Sequence, residues 1–139
     1  MEKKHAHLKM IQGVVNRLSH NSFLLKGWSV VLVSALFALL AQSENQTFIY
    51  IAYLPAIAFW LLDSYFLWQE RLFRALYDRV RVMKEEEIDF SMDTCTVKNS
   101  AKTWGDIIFS KTLLVFHGTL VGLIIIIMLV MLCMSKGGK

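Results

Sequence analysis

Two ionisable side chains within apolar stretches are the residues of this chain best placed to do chemistry. Asp63 ends one apolar run, and His117 lies about a turn and a half after Lys111 within another. In a bilayer such groups line ion or proton paths, or pair with one another. Asp63 is therefore either a functional carboxylate or an interfacial group paired with Lys26 or an arginine. His117 either lines an aqueous path and responds to pH, or is a neutral imidazole hydrogen-bonded to a neighbouring helix.

Ser110 completes this set of candidate pore or gating residues, because its hydroxyl precedes the same apolar run as His117. Motifs of hydrolases, nucleotide-binding loops and zinc proteases do not occur in the sequence, so no catalytic residue and no cofactor are expected. Cys95 and Cys133 are far apart, and His5 and His7 diverge on a helix. We therefore expect no metal site.

Three long apolar segments dominate the sequence. Apolar residues make up 55% of the 139-residue chain and charged residues 19%, against about 45–50% and about 25% in soluble domains. The excess is concentrated at 23–41, 48–67 and 112–134, each near the length of about 20 residues that a spanning helix needs. The sequence predicts an all-α integral membrane protein with one domain, 1–139, and three transmembrane helices.

The segments outside these spans also follow a helical period. In residues 1–21, apolar side chains recur at helical spacing and basic side chains fall mainly on the other face. This pattern predicts an amphipathic cytoplasmic helix, which packs either on a membrane surface or on another helix. The second span continues as a helical stripe into the cytoplasmic region 68–111, to about Glu87, before a polar loop. Pro55 lies within that span and is expected to bend it.

Positive charge and aromatic residues indicate the orientation of the spans. Five Lys and Arg residues precede or begin the first span and eight lie between the second and third, whereas the turn at 42–47 has none and the tail has two. Cations are retained on the cytoplasmic side, so the N-terminus is predicted to be cytoplasmic and the protein to cross the membrane several times. The expected interface anchors are Lys26, Trp28, Trp68 and Trp104.

Four arginines follow the second span. They form either a solvated helix face or a surface that docks a cytosolic protein or a nucleotide-bearing ligand: Arg71, Arg74, Arg79 and Arg81. The formal charge of +4 lies mostly beside apolar segments, so the lipid bilayer, rather than nucleic acid, is the expected partner of the basic residues.

Gly118 and Gly122 form a GxxxG pair in the third span. Small residues one turn apart allow two helix backbones to approach closely. The pair is either the seam of a homo-oligomer or the place where another span of the same chain packs.

The stretches 11–30, 62–77 and 104–112 resemble a group of small bacterial membrane proteins. The similarity rests on segments such as Asn21-Ser22-Phe23-Leu24-Leu25-Lys26-Gly27-Trp28 and Leu62-Asp63-Ser64-Tyr65-Phe66-Leu67-Trp68. The order of elements is similar to SLATT-type effectors and to the small transmembrane accessory proteins of type VI CRISPR systems. The resemblance implies antiviral membrane damage through pores that open after a cytosolic sensor detects infection. A plain SLATT unit has two spans rather than three, and the histidine of a HEPN ribonuclease motif is missing here.

These observations support two functional hypotheses. The first is a homo-oligomeric membrane effector that forms or gates a pore, an ion channel of antiviral defence controlled by a cytosolic sensor protein. The second is a non-catalytic membrane anchor or scaffold that recruits a cytosolic partner. Neither hypothesis requires the chain to be an enzyme.

Overall fold

The computed structural model describes residues 2–40 and 50–137, and every regular element in these ranges is helical. Helix α1 covers Glu2–Leu40, α2 covers Tyr53–Val82, α3 covers Trp104–Ile108 and α4 covers Lys111–Gly137. Short 3₁₀ turns occupy 50–52, Glu85–Glu87 and Cys95–Ser100. The predicted all-α class is confirmed, while the predicted turn at 42–47 lies outside the described residues.

Helices α1, α2 and α4 are each long and apolar enough to cross a membrane, which confirms the three predicted helices of that kind. At about 1.5 Å per residue, the 27 residues of α4 extend well beyond the hydrocarbon thickness of about 30 Å. The predicted third span, 112–134, lies wholly within α4.

The amphipathic segment 1–21 and the first span 23–41 belong to one helix rather than two. Helix α1 continues for 39 residues without interruption. Polar residues such as Asn21 lie where the two segments meet, but no proline occurs there, and Ser and Asn disfavour a helix interior only slightly. The backbone therefore stays helical through the change of composition.

Helix α2 departs from the prediction at both ends. Pro55, expected to bend the second span, lies in the first turn of α2, where its missing N–H would lack a helical partner in any case. The helix ends at Val82 rather than about Glu87. Lys84 is extended, and three acidic residues follow it in a 3₁₀ turn. Negative charge is unfavourable at a helix C-terminus. It is therefore more favourable for α2 to end before these acidic residues than to include them.

The chain divides into two compact units. The first, here called the polar unit, comprises Met1–Phe23 and Ser64–Ile107, and the second, the apolar unit, comprises Leu24–Asp63 and Ile108–Lys139. The buried core of the polar unit consists of Ile11, Val15, Leu76, Val80 and Val97. That of the apolar unit consists of Val33, Ala56, Leu120 and Ile124.

A capping box begins the short helix α3. The Thr103 hydroxyl and backbone N–H both donate to Asp106 Oδ2, at 2.6 and 3.2 Å, and the Asp106 N–H returns toward the Thr103 hydroxyl at 3.4 Å. These bonds satisfy N–H groups that the first turn leaves without helical partners. They orient α3 so that Ile107 is fully buried and the Trp104 indole N–H donates to Ser64 Oγ at 2.9 Å.

A buried Lys–Asp–His cluster as the candidate functional site

Three helices each bring one ionisable residue to the same point in the apolar unit. Lys26 of α1 places its Nζ 2.6 Å from Oδ2 of Asp63 in α2. His117 of α4 places its Nε2 2.9 Å from the same oxygen. The Asp63 and His117 side chains are wholly buried, and that of Lys26 is 21% exposed. One carboxylate therefore joins α1, α2 and α4.

The chemistry of the partners determines which atoms donate. An ammonium has only donors and a carboxylate only acceptors, so Lys26 and the His117 Nε2–H both donate to an ionised Asp63. This leaves His117 Nδ1, which is buried and has no hydrogen-bond partner among the described residues. A neutral His117 therefore presents an unused acceptor, and a protonated one presents an unused donor.

Aromatic side chains enclose the imidazole. The Trp60 ring stacks on His117 with centroids 5.9 Å apart and planes within 5°, while the Phe116 ring meets His117 edge-on at 5.0 Å. The Trp60 indole N–H donates to the Ile108 carbonyl at 3.1 Å, which fixes the ring. Apolar surroundings strengthen hydrogen bonds and ion pairs because they exclude water.

The cluster makes the packing of three helices interdependent. Removing one partner of a buried ion pair leaves a charge without compensation and typically costs about 3–5 kcal/mol. Replacing the whole pair by apolar side chains is often neutral or stabilising. A buried charged cluster is therefore a poor choice for stability alone, and in membrane-spanning helices such groups mark functional sites.

Asp63 and His117 each make one of the contacts that the sequence left open as alternatives. Asp63 does pair with Lys26, as one interpretation proposed, but it is fully buried. His117 is hydrogen-bonded to a neighbouring helix, and the group that it contacts is this same carboxylate. Trp60 was not singled out from the sequence. Its only signal there is its position one helical turn before Asp63, where side chains share a helix face.

Ser110 is not hydrogen-bonded to the cluster. Its Oγ is buried and lacks a partner within the part of the chain that the structure describes, and its carbonyl accepts the Leu114 N–H at 2.9 Å at the start of α4. Its proposed place beside a permeation path stays a prediction.

Within the described residues, no other helix packs against the glycine pair of α4. A Cβ built on Gly118 or Gly122 would meet no other described atom within 4 Å. Exposed apolar side chains such as Val115 and Ile126 accompany the pair on α4. The intrachain interpretation is therefore not supported, and the pair is left open to lipid or to another chain.

The predicted anchors lie in different environments. Trp28 is 63% exposed, Trp104 is 41% exposed, and Trp68 is half-buried. The Lys26 ammonium contacts Asp63 instead of only extending toward an interface. An anchoring role for these four residues stays a prediction.

The four arginines of α2 are likewise not equivalent. Arg74 bonds to Glu70 at 2.8 Å, and Arg81 lies 3.7 Å from Asp78 in an exposed pair. Arg71 is half-buried, and Arg79 lines a cavity in the polar unit. Docking of a partner on these arginines stays a prediction.

Within residues 2–40 and 50–137, no three His, Cys, Asp or Glu side chains converge closely enough to hold a metal ion. In comparisons with known proteins, no protein-family model matches the chain, and neither a curated protein nor a solved structure is significantly similar to it. The cluster and the surfaces around it are therefore the features from which a function can be inferred.

Proposed function

We propose that this protein is a homo-oligomeric membrane protein that forms or gates a pore, and that the Lys26–Asp63–His117 cluster is the latch that holds its spanning helices closed. The observation that carries the proposal is the single Asp63 oxygen contacted from both α1 and α4. A contact of this kind has two discrete states, made and broken, as a gate requires.

Polar contacts matter more between membrane helices than between helices in water. Lipid is as apolar as leucine, so the hydrophobic effect does not drive spanning helices together, and polar contacts and packing must do so. When the latch opens, an ammonium, a carboxylate and an imidazole become available to line a hydrated path. Three spans are too few to enclose a wide path, so several chains are needed.

The surface of the apolar unit offers room for a second chain. Between α1 and α4 lies an apolar groove of about 420 Å³, lined among others by Val33, Phe37, Thr119 and Leu123. The open face at Gly118 and Gly122 is adjacent along α4. A glycine face allows a neighbouring backbone to come close, which supports assembly through α4.

The setting of the proposed activity comes from sequence patterns. The distribution of Lys and Arg favours an N-terminus in the cytoplasm, and the resemblance to small bacterial membrane proteins suggests the bacterial inner membrane. The resemblance to SLATT-type and type VI CRISPR accessory proteins suggests antiviral defence, with a cytosolic sensor acting on the polar unit. The membrane location and the role in antiviral defence are both parts of the proposal.

Membrane potential in cells tests the latch directly. Asp63→Ala should depolarise cells without any activator, because both donors lose their acceptor and the closed arrangement is weakened. The matched control is Asp78→Ala, which removes an exposed carboxylate from the same helix. An unchanged potential in Asp63→Ala cells, at equal amounts of protein in the membrane, would contradict the proposal.

The second candidate function is a membrane anchor that recruits a cytosolic protein. The observation that favours it is the polar unit, which has a hydrophobic core of its own and is more elaborate than a linker between spans needs to be. A stoichiometric partner recovered with the protein, together with no ion flux in liposomes from either the wild type or Asp63→Ala, would favour this function over a pore.

A further inference from the structure

The apolar groove between α1 and α4 has the dimensions of a site for one hydrocarbon chain. Its volume is about 420 Å³, and its lining extends from Val30 to Phe37 on α1 and from Val115 to Ile127 on α4. At about 1.5 Å per residue, the stretch of α4 covers about 18 Å. Half of a hydrocarbon core about 30 Å thick is close to that length, so the groove is about as long as one leaflet of a membrane.

The floor and the rim of the groove are mostly hydrocarbon. Val33 and Ile124 are buried in its floor, whereas Val115 and Leu123 are exposed at its rim. The Thr119 hydroxyl donates to the Val115 carbonyl within α4 at 2.6 Å, so it needs no bond from an occupant. The lining therefore favours an occupant that is apolar along most of its length.

Two lysines mark one end of the groove. Lys26 lies four residues before Val30 on α1, and Lys111 lies four residues before Val115 on α4. Residues at this spacing share a helix face, so each lysine lies one turn beyond the lining residue that begins the groove. The Lys26 ammonium is 6.0 Å from the centroid of the Phe116 ring, and this ring forms part of the groove wall.

Lys111 supplies the net positive charge at this end. Lys26 is compensated by the carboxylate of Asp63 at 2.6 Å, whereas Lys111 is exposed and is the first residue of α4. At the start of a helix, the positive end of the dipole and N–H groups without helical partners also favour an anion. The end of the groove beside Lys111 therefore attracts negative charge.

We propose that the groove binds an acyl chain of an anionic phospholipid whose phosphate lies at the first turn of α4 beside Lys111. The acyl chain covers the apolar lining, and the phosphate accepts hydrogen bonds from the Lys111 ammonium. An apolar groove one leaflet long with a cation at one end is complementary to such a lipid in both shape and charge. The site binds its lipid whether or not the apolar unit forms a pore.

A helix of a second chain fits this groove less well than an acyl chain. A volume of about 420 Å³ spread over about 18 Å leaves a mean cross-section of about 23 Å², whereas a helix about 10 Å across needs about 80 Å². At 100° per residue, Gly118 and Gly122 lie about 130° around α4 from the middle of the groove lining. A second chain on the glycine face would therefore border the groove without filling it.

Native mass spectrometry of the full-length protein in non-ionic detergent, titrated with phosphatidylglycerol, tests the proposal. One bound lipid per chain is expected. Phosphatidylcholine with the same acyl chains should bind about fivefold more weakly, because one lysine near an anionic headgroup contributes about that factor. Glycerol 3-phosphate, which offers a phosphate without acyl chains, should show no saturable binding. The same spectra report how many chains the complex contains.

Variants check that the groove is the place of binding. Ser34→Trp fills the groove from its α1 wall and should abolish binding of phosphatidylglycerol. Ala35→Trp adds the same side chain to α1 outside the groove lining and should leave binding unchanged. Lys111→Gln should lower the affinity for phosphatidylglycerol to that for phosphatidylcholine, whereas Lys102→Gln, in the polar unit, should not.

The proposal is overturned if the wild type binds phosphatidylcholine as tightly as phosphatidylglycerol, or if Ser34→Trp retains the lipid as Ala35→Trp does. It is also overturned if the wild type binds no lipid and Ser34→Trp abolishes the oligomer, since a second chain would then fill the groove. The lipid comparison on the wild type stands even if a variant fails to fold. None of these outcomes depends on ion flux, so the lipid site can fail while the pore stands, and the reverse.

Discussion

The Lys26 ammonium lies 2.6 Å from a carboxylate oxygen of Asp63, a side chain with no exposed surface. Lys26 belongs to α1 and Asp63 to α2, so this contact makes the position of one apolar helix depend on the other. Since His117 of α4 donates to the same oxygen, this carboxylate joins all three long helices in the apolar unit.

Removing the shared acceptor should destabilise the protein strongly. Asp63→Ala leaves the Lys26 ammonium and the His117 Nε2–H without their acceptor, and the expected loss is about 3–5 kcal/mol in the free energy of unfolding. Titration of the detergent-solubilised protein with SDS, followed by circular dichroism, measures it. Asp78→Ala, which breaks an exposed pair with Arg81, should change stability by less than about 1 kcal/mol.

A double replacement distinguishes an ion pair kept for function from one kept for stability. Lys26→Met combined with Asp63→Leu removes both charges and keeps apolar volume, but His117 Nε2 still loses its acceptor. Stability should therefore rise above that of Asp63→Ala and stay below the wild type by the value of that one bond, about 1–3 kcal/mol. The gating response should nevertheless be lost, because the latch chemistry is gone. A double variant that is as unstable as Asp63→Ala would argue against a compensated pair.

The His117 contact can be tested without disturbing the aromatic packing. His117→Phe retains a ring against Trp60 but has no donor for Asp63, so we expect a loss of about 1–3 kcal/mol. In the Asp63→Ala background the same change should cost much less, because the bond is already absent. Equal costs in the two backgrounds, measured by the same SDS titration, would mean that the two side chains do not interact.

Local properties of the sequence predicted the fold better than they predicted the site. The long apolar runs identify α1, α2 and α4 because spanning length and hydropathy are read along one segment. The predicted segments 1–21 and 23–41 meet within the single helix α1, since a change in composition does not break a backbone that lacks proline. Pairing of Lys26 with Asp63 was among the alternatives, whereas the convergence of His117 on the same oxygen depends on how helices distant in sequence pack.

The surroundings of His7 in the polar unit could not be predicted from the sequence either. His5 and His7 were set aside as metal ligands because alternate residues diverge on a helix, and in α1 His5 is indeed exposed while His7 is buried. The loop that carries Asp89 and Ser91 lies against His7. The path of this loop is determined by contacts between segments far apart in the chain. Such contacts leave no periodic pattern in the sequence.

The glycine face of α4 should control assembly without affecting the fold. Gly118→Leu with Gly122→Leu adds side chains where no other described atom lies within 4 Å, so the circular dichroism spectrum and detergent stability of a single chain should be retained. Close approach of a second helix would be blocked. Chemical crosslinking in membranes should therefore lose its oligomer bands, and activated flux should fall to background.

The control for the glycine variant is Gly13→Leu, which also enters open space but lies in the polar unit. Crosslinked oligomers should be unchanged in this control. If the double glycine variant still forms the same oligomers, α4 is not the seam and another face of the apolar unit must hold the chains together.

The capping box of α3 should show itself in a titration. The Thr103 hydroxyl, and to a smaller extent its backbone N–H, lower the pKa of Asp106 from its ordinary value of 3.8. A carboxyl with a lowered folded pKa contributes stability above its unfolded value and loses it as the pH falls through the folded value. The protection factor of the Ile107 amide, which is the factor by which its exchange is slower than in the unfolded chain at the same pH, should therefore fall below about pH 4, as the carboxylate becomes protonated and the cap is lost.

Thr103→Val keeps the shape of the side chain and removes the hydroxyl, so the pKa of Asp106 should rise toward its ordinary value and the loss of protection at Ile107 should begin at higher pH. Thr96→Val, a change of the same kind outside the capping box, should leave exchange at Ile107 as it was. A Thr103→Val protein whose exchange profile matches the wild type would show that α3 does not depend on this cap.

The proposed orientation predicts the accessibility of Cys95. In a Cys133→Ala background, an impermeant maleimide applied to intact spheroplasts should leave Cys95 unlabelled, and permeabilisation should expose it, because the polar unit is proposed to lie in the cytoplasm. A hydrogen bond and negative charge from Asp93 raise the pKa of the Cys95 thiol, and the thiolate is the reactive form. Labelling after permeabilisation should thus be slow at neutral pH, increase as the pH rises, and become faster in Asp93→Asn. Rapid labelling of Cys95 in intact spheroplasts would contradict the proposed orientation and would mean that the polar unit lies on the outer side of the membrane.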